Sequence, residues 1–152
     1  MYCIGANWEQ VDESPGFSIG TIMMDEDGRV FKYLQYSEGD GAVVGQERRA
    51  AYYVANTGYE NGVATSDLSA SDRVGAGVIM GESITDGMYG WFQIKGVATL
   101  SVALTGSPAN GGRLTAVGTT DGSLDLASGL PQECCAIAID VTTNQIACDF
   151  LF

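Results

Sequence analysis

The chain has 152 residues, of which 19 are acidic and seven are basic, and its formal charge is −12. Such an acidic chain repels nucleic acid and anionic membranes, and no apolar run approaches the roughly 20 residues of a membrane helix, so we expect neither partner. Because the chain has no histidine, a histidine general base, a catalytic triad and a histidine-ligated zinc site are excluded.

Residues 1–16 show no hydrophobic periodicity and are interpreted as an N-terminal arm. The arm lacks the basic and apolar regions of a secretion signal, so we expect the protein to fold in a cytoplasm. Trp8 is its one large aromatic residue besides Tyr2. Since chain termini are loose unless they dock, Trp8 either anchors the arm on its own domain or reaches a neighbouring subunit.

A β-hairpin is predicted from Phe17–Met24 and Arg29–Tyr36, joined by the turn Asp25-Glu26-Asp27-Gly28. The two segments alternate apolar and polar residues, which is the pattern of strands. The acidic turn lacks the further ligand positions and the terminal glutamate of an EF-hand loop. We therefore predict no metal here.

The segment Glu47–Thr57 combines a helix-favouring start with a strand-favouring Tyr52-Tyr53-Val54. Arg48-Arg49 is the one basic pair, and it is either solvated or in contact with an acidic neighbour. The tyrosines 52, 53 and 59 suggest either packing between subunits or a sugar-binding surface. A polar, glycine-bearing loop is expected over residues 56–71.

Three strands are predicted in Val74–Leu104: Val74–Met80, Tyr89–Lys95 and a third after a bend at Gly96. Asp86-Gly87 forms the turn before the second strand. The alternation predicts that one face of the second and third strands is core. Its residues are Phe92, Ile94, Leu100 and Val102.

Short strands follow at Arg113–Val117 and Leu124–Leu126, and a last hairpin joins Cys134–Val141 to Gln145–Phe152. In that hairpin Ile137, Ile139 and Val141 are expected to share one face. The four cysteines lack metal-site spacing and are expected to be free thiols. Together these elements predict an all-β, single-domain antiparallel β-barrel or β-sandwich over residues 17–152.

Several of these segments resemble capsid decoration, or cement, proteins of tailed bacteriophages. The matching pieces, spread over Asp27–Phe152, are Gly77-Val78, Tyr89-Gly90-Trp91, Gln93, Gly96-Val97-Ala98 and the run from Gly111 to Ser128. The resemblance implies a structural virion protein on the outer surface of the head. It implies that the major capsid protein is the partner, and that the chain forms a homo-oligomer, most simply a trimer.

The alternative is a carbohydrate- or receptor-binding β module on a virion surface. Enzymatic activity is not expected, because the carboxylates mostly lie in glycine-bearing turns, where turn geometry explains them. We expect no cofactor. The candidate contacts to the capsid or to a second subunit are Trp8, Arg48, Arg49, Tyr52, Tyr53 and Tyr59.

Overall fold

The computed structural model describes residues 7–128 and 134–151, and nearly all of its regular structure is β-strand. The elements are β1 (Val11–Asp12), β2 (Ile22–Met24), β3 (Val30–Tyr36), β4 (Gly45–Gln46), β5 (Ala50–Val54), α1 (Gly58–Asn61), β6 (Val63–Thr65), β7 (Ser71–Ile79), β8 (Ser83–Ile84), β9 (Tyr89–Thr99), β10 (Arg113–Thr115), β11 (Asp125–Leu126), β12 (Cys134–Asp140) and β13 (Gln145–Asp149). The all-β, single-domain prediction is confirmed.

Five of these strands close into a barrel in the order β3, β9, β7, β5, β6. The ring closes where β3 pairs with both β9 and β6. Four pairings of the ring are antiparallel, as predicted, and the β3–β6 pair is parallel. A parallel pair needs a crossover, and the chain supplies one through β4, β5 and α1.

Strand β9 connects the barrel to the rest of the sheet. Its first half pairs with β3, and its second half pairs with β13. Strands β12, β10 and β11 are added to β13 in turn, and we call these four strands the extension. The predicted bend at Gly96 does not end the strand. Gly96 has φ +93°, and an added Cβ would lie 3.0 Å from Cγ of Arg29, so glycine is needed where the strand changes partners.

Three apolar clusters use both faces of the central strands. The first has members from all five barrel strands, among them Leu34, Tyr53, Ala64, Ile79 and Phe92. The second packs residues of β5 and β7 against β10, β12 and β13 of the extension. The third covers β3 and β9 on the side away from the barrel cluster, with Phe31, Tyr33 and Trp91 at its centre. Alternation therefore does not separate core from solvent on β3 and β9.

The predicted core face of β9 and its continuation is confirmed at Phe92, Ile94 and Leu100, which are buried. Val102 is only half-buried, so its assignment to the core was wrong. The strand ends at Thr99, and the amide of Ser101 donates a hydrogen bond to the carbonyl oxygen of Arg48. The chain bends after the end of the strand, so Val102 no longer follows the inward and outward alternation of β9.

The prediction that Ile137, Ile139 and Val141 share one face is wrong at Val141, which packs on the second cluster beyond a register shift in β12, whereas Ile137 and Ile139 are exposed. Ala136 and Ala138 are buried on β12, and their partners on β13, Cys148 and Ile146, are buried too. Because paired residues share a side, Ile137 points outward and is 45% exposed. The core at this place takes small residues from one strand and larger ones from the other.

Candidate interaction surfaces

Trp8 lies on its own domain. Its ring stacks on Phe31, with the ring centroids 4.3 Å apart, and meets Trp91 edge-on at 5.0 Å. Nearby, β1 pairs with β9, and the hydroxyl of Tyr33 donates a 2.5 Å hydrogen bond to the Asp12 carboxylate. Of the two interpretations of Trp8, the geometry matches anchoring on the same chain, and the ring is half-buried. Residues 1–6 of the predicted arm lie outside the described residues.

Arg48 and Arg49 do not act as a pair. Arg48 is exposed, with φ +65°, and its guanidinium lies 3.3 Å from the Glu47 carboxylate. Arg49 is half-buried, and its aliphatic carbons lie 3.0–3.2 Å from where a Cβ of Gly122 would be. Arg48 alone therefore presents its charge to solvent.

The three tyrosines differ in how far they are buried. Tyr52 and Tyr53 have 0% exposure, so the expectation that they contact a partner is wrong. They are adjacent on β5 and point into different clusters, Tyr52 toward the extension and Tyr53 into the barrel. Tyr52 donates its hydroxyl hydrogen bond to the carbonyl oxygen of Ser123. Tyr59 is 53% exposed and remains available as a contact.

Lys32 is a buried charged residue that the sequence pattern did not identify. It is 8% exposed, its amine donates a 3.0 Å hydrogen bond to the Tyr53 hydroxyl, and it lies over the Tyr53 and Tyr59 rings. Burial lowers the pKa of this amine. A lysine at the third position of an alternating strand gives no local signal of burial. Its contacts support the aromatic surface around Tyr59.

One exposed apolar surface crosses three neighbouring strands. Val97 on β9 lies opposite Ala147 on β13, which lies opposite Ile137 on β12. Val97 is 51% exposed, and Ile139, two residues beyond Ile137, is exposed as well. We call these four residues the β12 strip. Contiguous apolar surface of this kind is typical of a protein contact.

A cavity of about 420 Å³ adjoins the β12 strip. Val97, Gln93 and Thr99 line it from β9. Arg29 and Arg48 contribute positive charge to its lining, and Glu9 and Glu47 contribute negative charge. The strip therefore continues into a recess with charged walls.

A second exposed apolar surface surrounds Tyr59. Ile22 lies opposite Lys32 across β2 and β3, and Lys32 lies 5.4 Å from the Tyr59 ring. Ile19 approaches Gly62 at the end of the same helical turn, and Met24 lies two residues beyond Ile22. We call Ile19, Ile22, Met24 and Tyr59 the Tyr59 patch; all four are exposed.

Comparison with known proteins found no matching family model, no matching curated protein and no matching solved structure. Among residues 7–128 and 134–151, no group of three or more acidic or cysteine side chains is arranged to hold a metal ion. Within that same part of the chain, no helix is long and apolar enough to span a membrane.

Burial also sets how the fold responds to high pH. It raises the pKa of Tyr33, Tyr53 and Cys148 to about 12, and raises the pKa of Tyr36 and Tyr52 as well. A group whose pKa is higher in the folded state stabilises the fold fully below its unfolded pKa. That stabilisation is lost as the pH rises toward the folded value. Lys32 acts in the opposite sense, because its lowered pKa means that high pH removes the cost of burying its charge.

We therefore expect the free energy of unfolding to fall between about pH 9 and about pH 12, since four tyrosines and one thiol outweigh one lysine. Urea unfolding, followed by circular dichroism across that range, measures it. Tyr33→Phe removes one titrating group and should make the decline shallower. A free energy that stays constant or rises over this range would contradict the burial of these groups.

Proposed function

We propose that this chain is a capsid decoration protein, which binds the major capsid protein on the outer surface of a tailed-phage head. The observation that carries the proposal is the segment Tyr89–Ala98, where the resemblance to decoration proteins is most specific. This segment is most of β9, the strand shared by the barrel and the extension. The likeness therefore concerns the centre of the fold.

The surface supports a role in protein contacts. The β12 strip and the Tyr59 patch expose apolar side chains although the protein also has a well-packed core. A net charge of −12 does not direct the chain to DNA, so attachment is to protein. Trp8 and Arg48 remain candidate contacts to the capsid, because each keeps part of its surface exposed.

The mechanism is bridging. Each copy spans two neighbouring capsid subunits and buries on the order of 800 Å² per partner, the ordinary scale of one specific contact. The proposed homo-oligomer, most simply a trimer, links several such contacts, so that release of one does not release the whole. Repeated over the shell, these bridges resist outward pressure from the packaged genome.

The test uses heads of the virion that encodes the chain, prepared from a strain in which its gene is deleted. Purified protein should cosediment with these heads and saturate at a fixed number of copies. Because apolar burial dominates the contact, a few hundred millimolar salt should weaken binding only slightly, although it screens exposed charges beyond about 8 Å. Absence of cosedimentation at micromolar protein would refute the function.

The carbohydrate-binding alternative depended on a tyrosine surface, and burial of Tyr52 and Tyr53 leaves Tyr59 as its exposed member. A single aromatic ring beside Ile19 and Ile22 offers little polar recognition for a sugar. A glycan array separates the two functions. Binding to defined glycans without binding to heads would favour the alternative.

A further inference from the structure

The β12 strip and the Tyr59 patch lie on opposite sides of the sheet. Met23 packs with Phe31 and Trp91, so Ile22 and Met24, its neighbours on β2, point to the other side. Val97 is six residues from Trp91 on β9 and shares its side. The alternation holds past Gly96, because Ile94, Ala98 and Leu100 all belong to or pack on the second cluster. The strip and the patch are therefore two separate surfaces.

The charges that border the two surfaces differ, and those around the strip are mixed. Arg113 is exposed directly opposite Ile137, and Lys95 lies two residues before Val97. Arg29 and Arg48 share the adjoining cavity with Val97, and Glu9 and Glu47 line the same cavity, so the surroundings of the strip hold four basic residues with carboxylates beside them. Three of these four are paired with carboxylates, and Arg113 is in none of the ion pairs between described residues.

The surroundings of the Tyr59 patch are acidic. Glu26 and Asp27 follow Met24 in the turn after β2, and Glu60 follows Tyr59; all three are exposed. The lysine nearest to the patch, Lys32, is buried beneath it. One surface is therefore apolar with an acidic border, and the other is apolar with an arginine in its border.

We propose that copies of this chain associate head to tail, with the β12 strip of one copy on the Tyr59 patch of the next. This contact presupposes the homo-oligomer proposed above and identifies its two surfaces. Two identical surfaces face to face would place Arg113 near its own copy, or Glu26 near Glu60, whereas the head-to-tail contact places opposite charges together. Such a contact leaves one strip and one patch open until a ring closes.

Two variants block the contact from either side. Val97→Asp with Ile137→Asp places carboxylates on the strip, where they meet the acidic border of the patch. Ile22→Arg places a cation on the patch, where it meets Arg113. All three positions are exposed, so the fold is retained, which circular dichroism checks. Ala103→Asp, an equivalent change at an exposed loop residue, is the matched control.

The mass in solution is measured by sedimentation equilibrium at micromolar concentration, first for each variant and then for their mixture. We expect the unmodified chain and Ala103→Asp to be oligomers, and each blocked variant to be a monomer. The mixture should form a one-to-one dimer, because the intact patch of the strip variant binds the intact strip of the patch variant.

Other outcomes overturn the contact in distinct ways. A monomeric unmodified chain removes it altogether. If Ile22→Arg keeps the unmodified mass and the strip variant does not, the strip binds itself instead. A mixture that stays monomeric also refutes head-to-tail association. If a variant loses its fold, Val97→Asn with Ile137→Asn and Ile22→Asn replace it. Since no heads are present, failure here is separate from failure of the capsid-binding function.

Discussion

Replacing Trp91 with alanine is expected to lower the free energy of unfolding by about 3–5 kcal/mol, the range for removing a large buried aromatic side chain. Trp91 is 1% exposed and contacts the rings of Trp8, Phe17 and Tyr33 at centroid distances of 5.0–5.1 Å. The loss therefore combines apolar burial, a cavity and three edge-on ring contacts. It should also release the N-terminal segment, since Trp8 loses one of its two aromatic partners.

Denaturant unfolding monitored by circular dichroism measures this effect. Val97→Ala is the matched control, because Val97 lies on the same side of the same strand and is 51% exposed. Its effect should stay within about 0.5 kcal/mol. Equal losses for the two variants would show that the third cluster is not packed as described.

Replacing Leu100 with alanine is expected to lower the free energy of unfolding by about 2–5 kcal/mol. Leu100 is 2% exposed and belongs to the cluster between the barrel and the extension, just beyond the end of β9. Its removal leaves a cavity in this cluster. Thermal melting of the two proteins at equal concentration measures the difference.

Val102→Ala is the informative comparison for Leu100→Ala. Strict alternation along the predicted strand treats the two residues alike. The bend after Thr99 leaves Val102 half-buried, so its replacement should cost clearly less than that of Leu100. If the two variants melt at the same temperature, the strand continues past residue 99 and the description of this bend is wrong.

Local sequence chemistry predicted where the hairpins turn, although β2 spans only Ile22–Met24 of the predicted strand Phe17–Met24. The turn after Met24 joins β2 to β3 as expected, and Gly28 has φ +80°. Gly87 has the same φ in the turn before β9. Such positions need only a residue that tolerates positive φ, and glycine supplies it within a few residues of the strands it joins. The turn between β12 and β13 uses Asn144, which also has positive φ, at +56°.

Long-range packing was not predictable from the same patterns. Tyr52 and Tyr53 are both buried because β5 lies between the barrel cluster and the extension, and the extension comes from residues more than 60 positions later. Ile137 is exposed because its neighbours on β12, Ala136 and Ala138, take the buried positions opposite Cys148 and Ile146. The burial of these residues depends on which strands pack together, and the neighbouring residues in the sequence do not indicate that.

For the candidate contact residues too, local patterns identified residues, and only long-range packing shows where they lie. Trp8 was correctly singled out as a docking residue, but only the fold decides between its own domain and a neighbour. The sequence identified the three tyrosines as a group, and the fold shows that Tyr52 and Tyr53 are buried while Tyr59 is exposed. The β12 strip gave no signal as a surface, because its isoleucines have the ordinary appearance of core residues in a half-buried strand.

Electron microscopy of the virion that carries this chain tests its proposed function most directly. The predicted result is density for the barrel on the outer surface of the head, repeated with the symmetry of the shell and absent from particles that lack the gene. Density confined to the tail, to the interior of the head, or missing from the particle altogether would contradict a capsid decoration role.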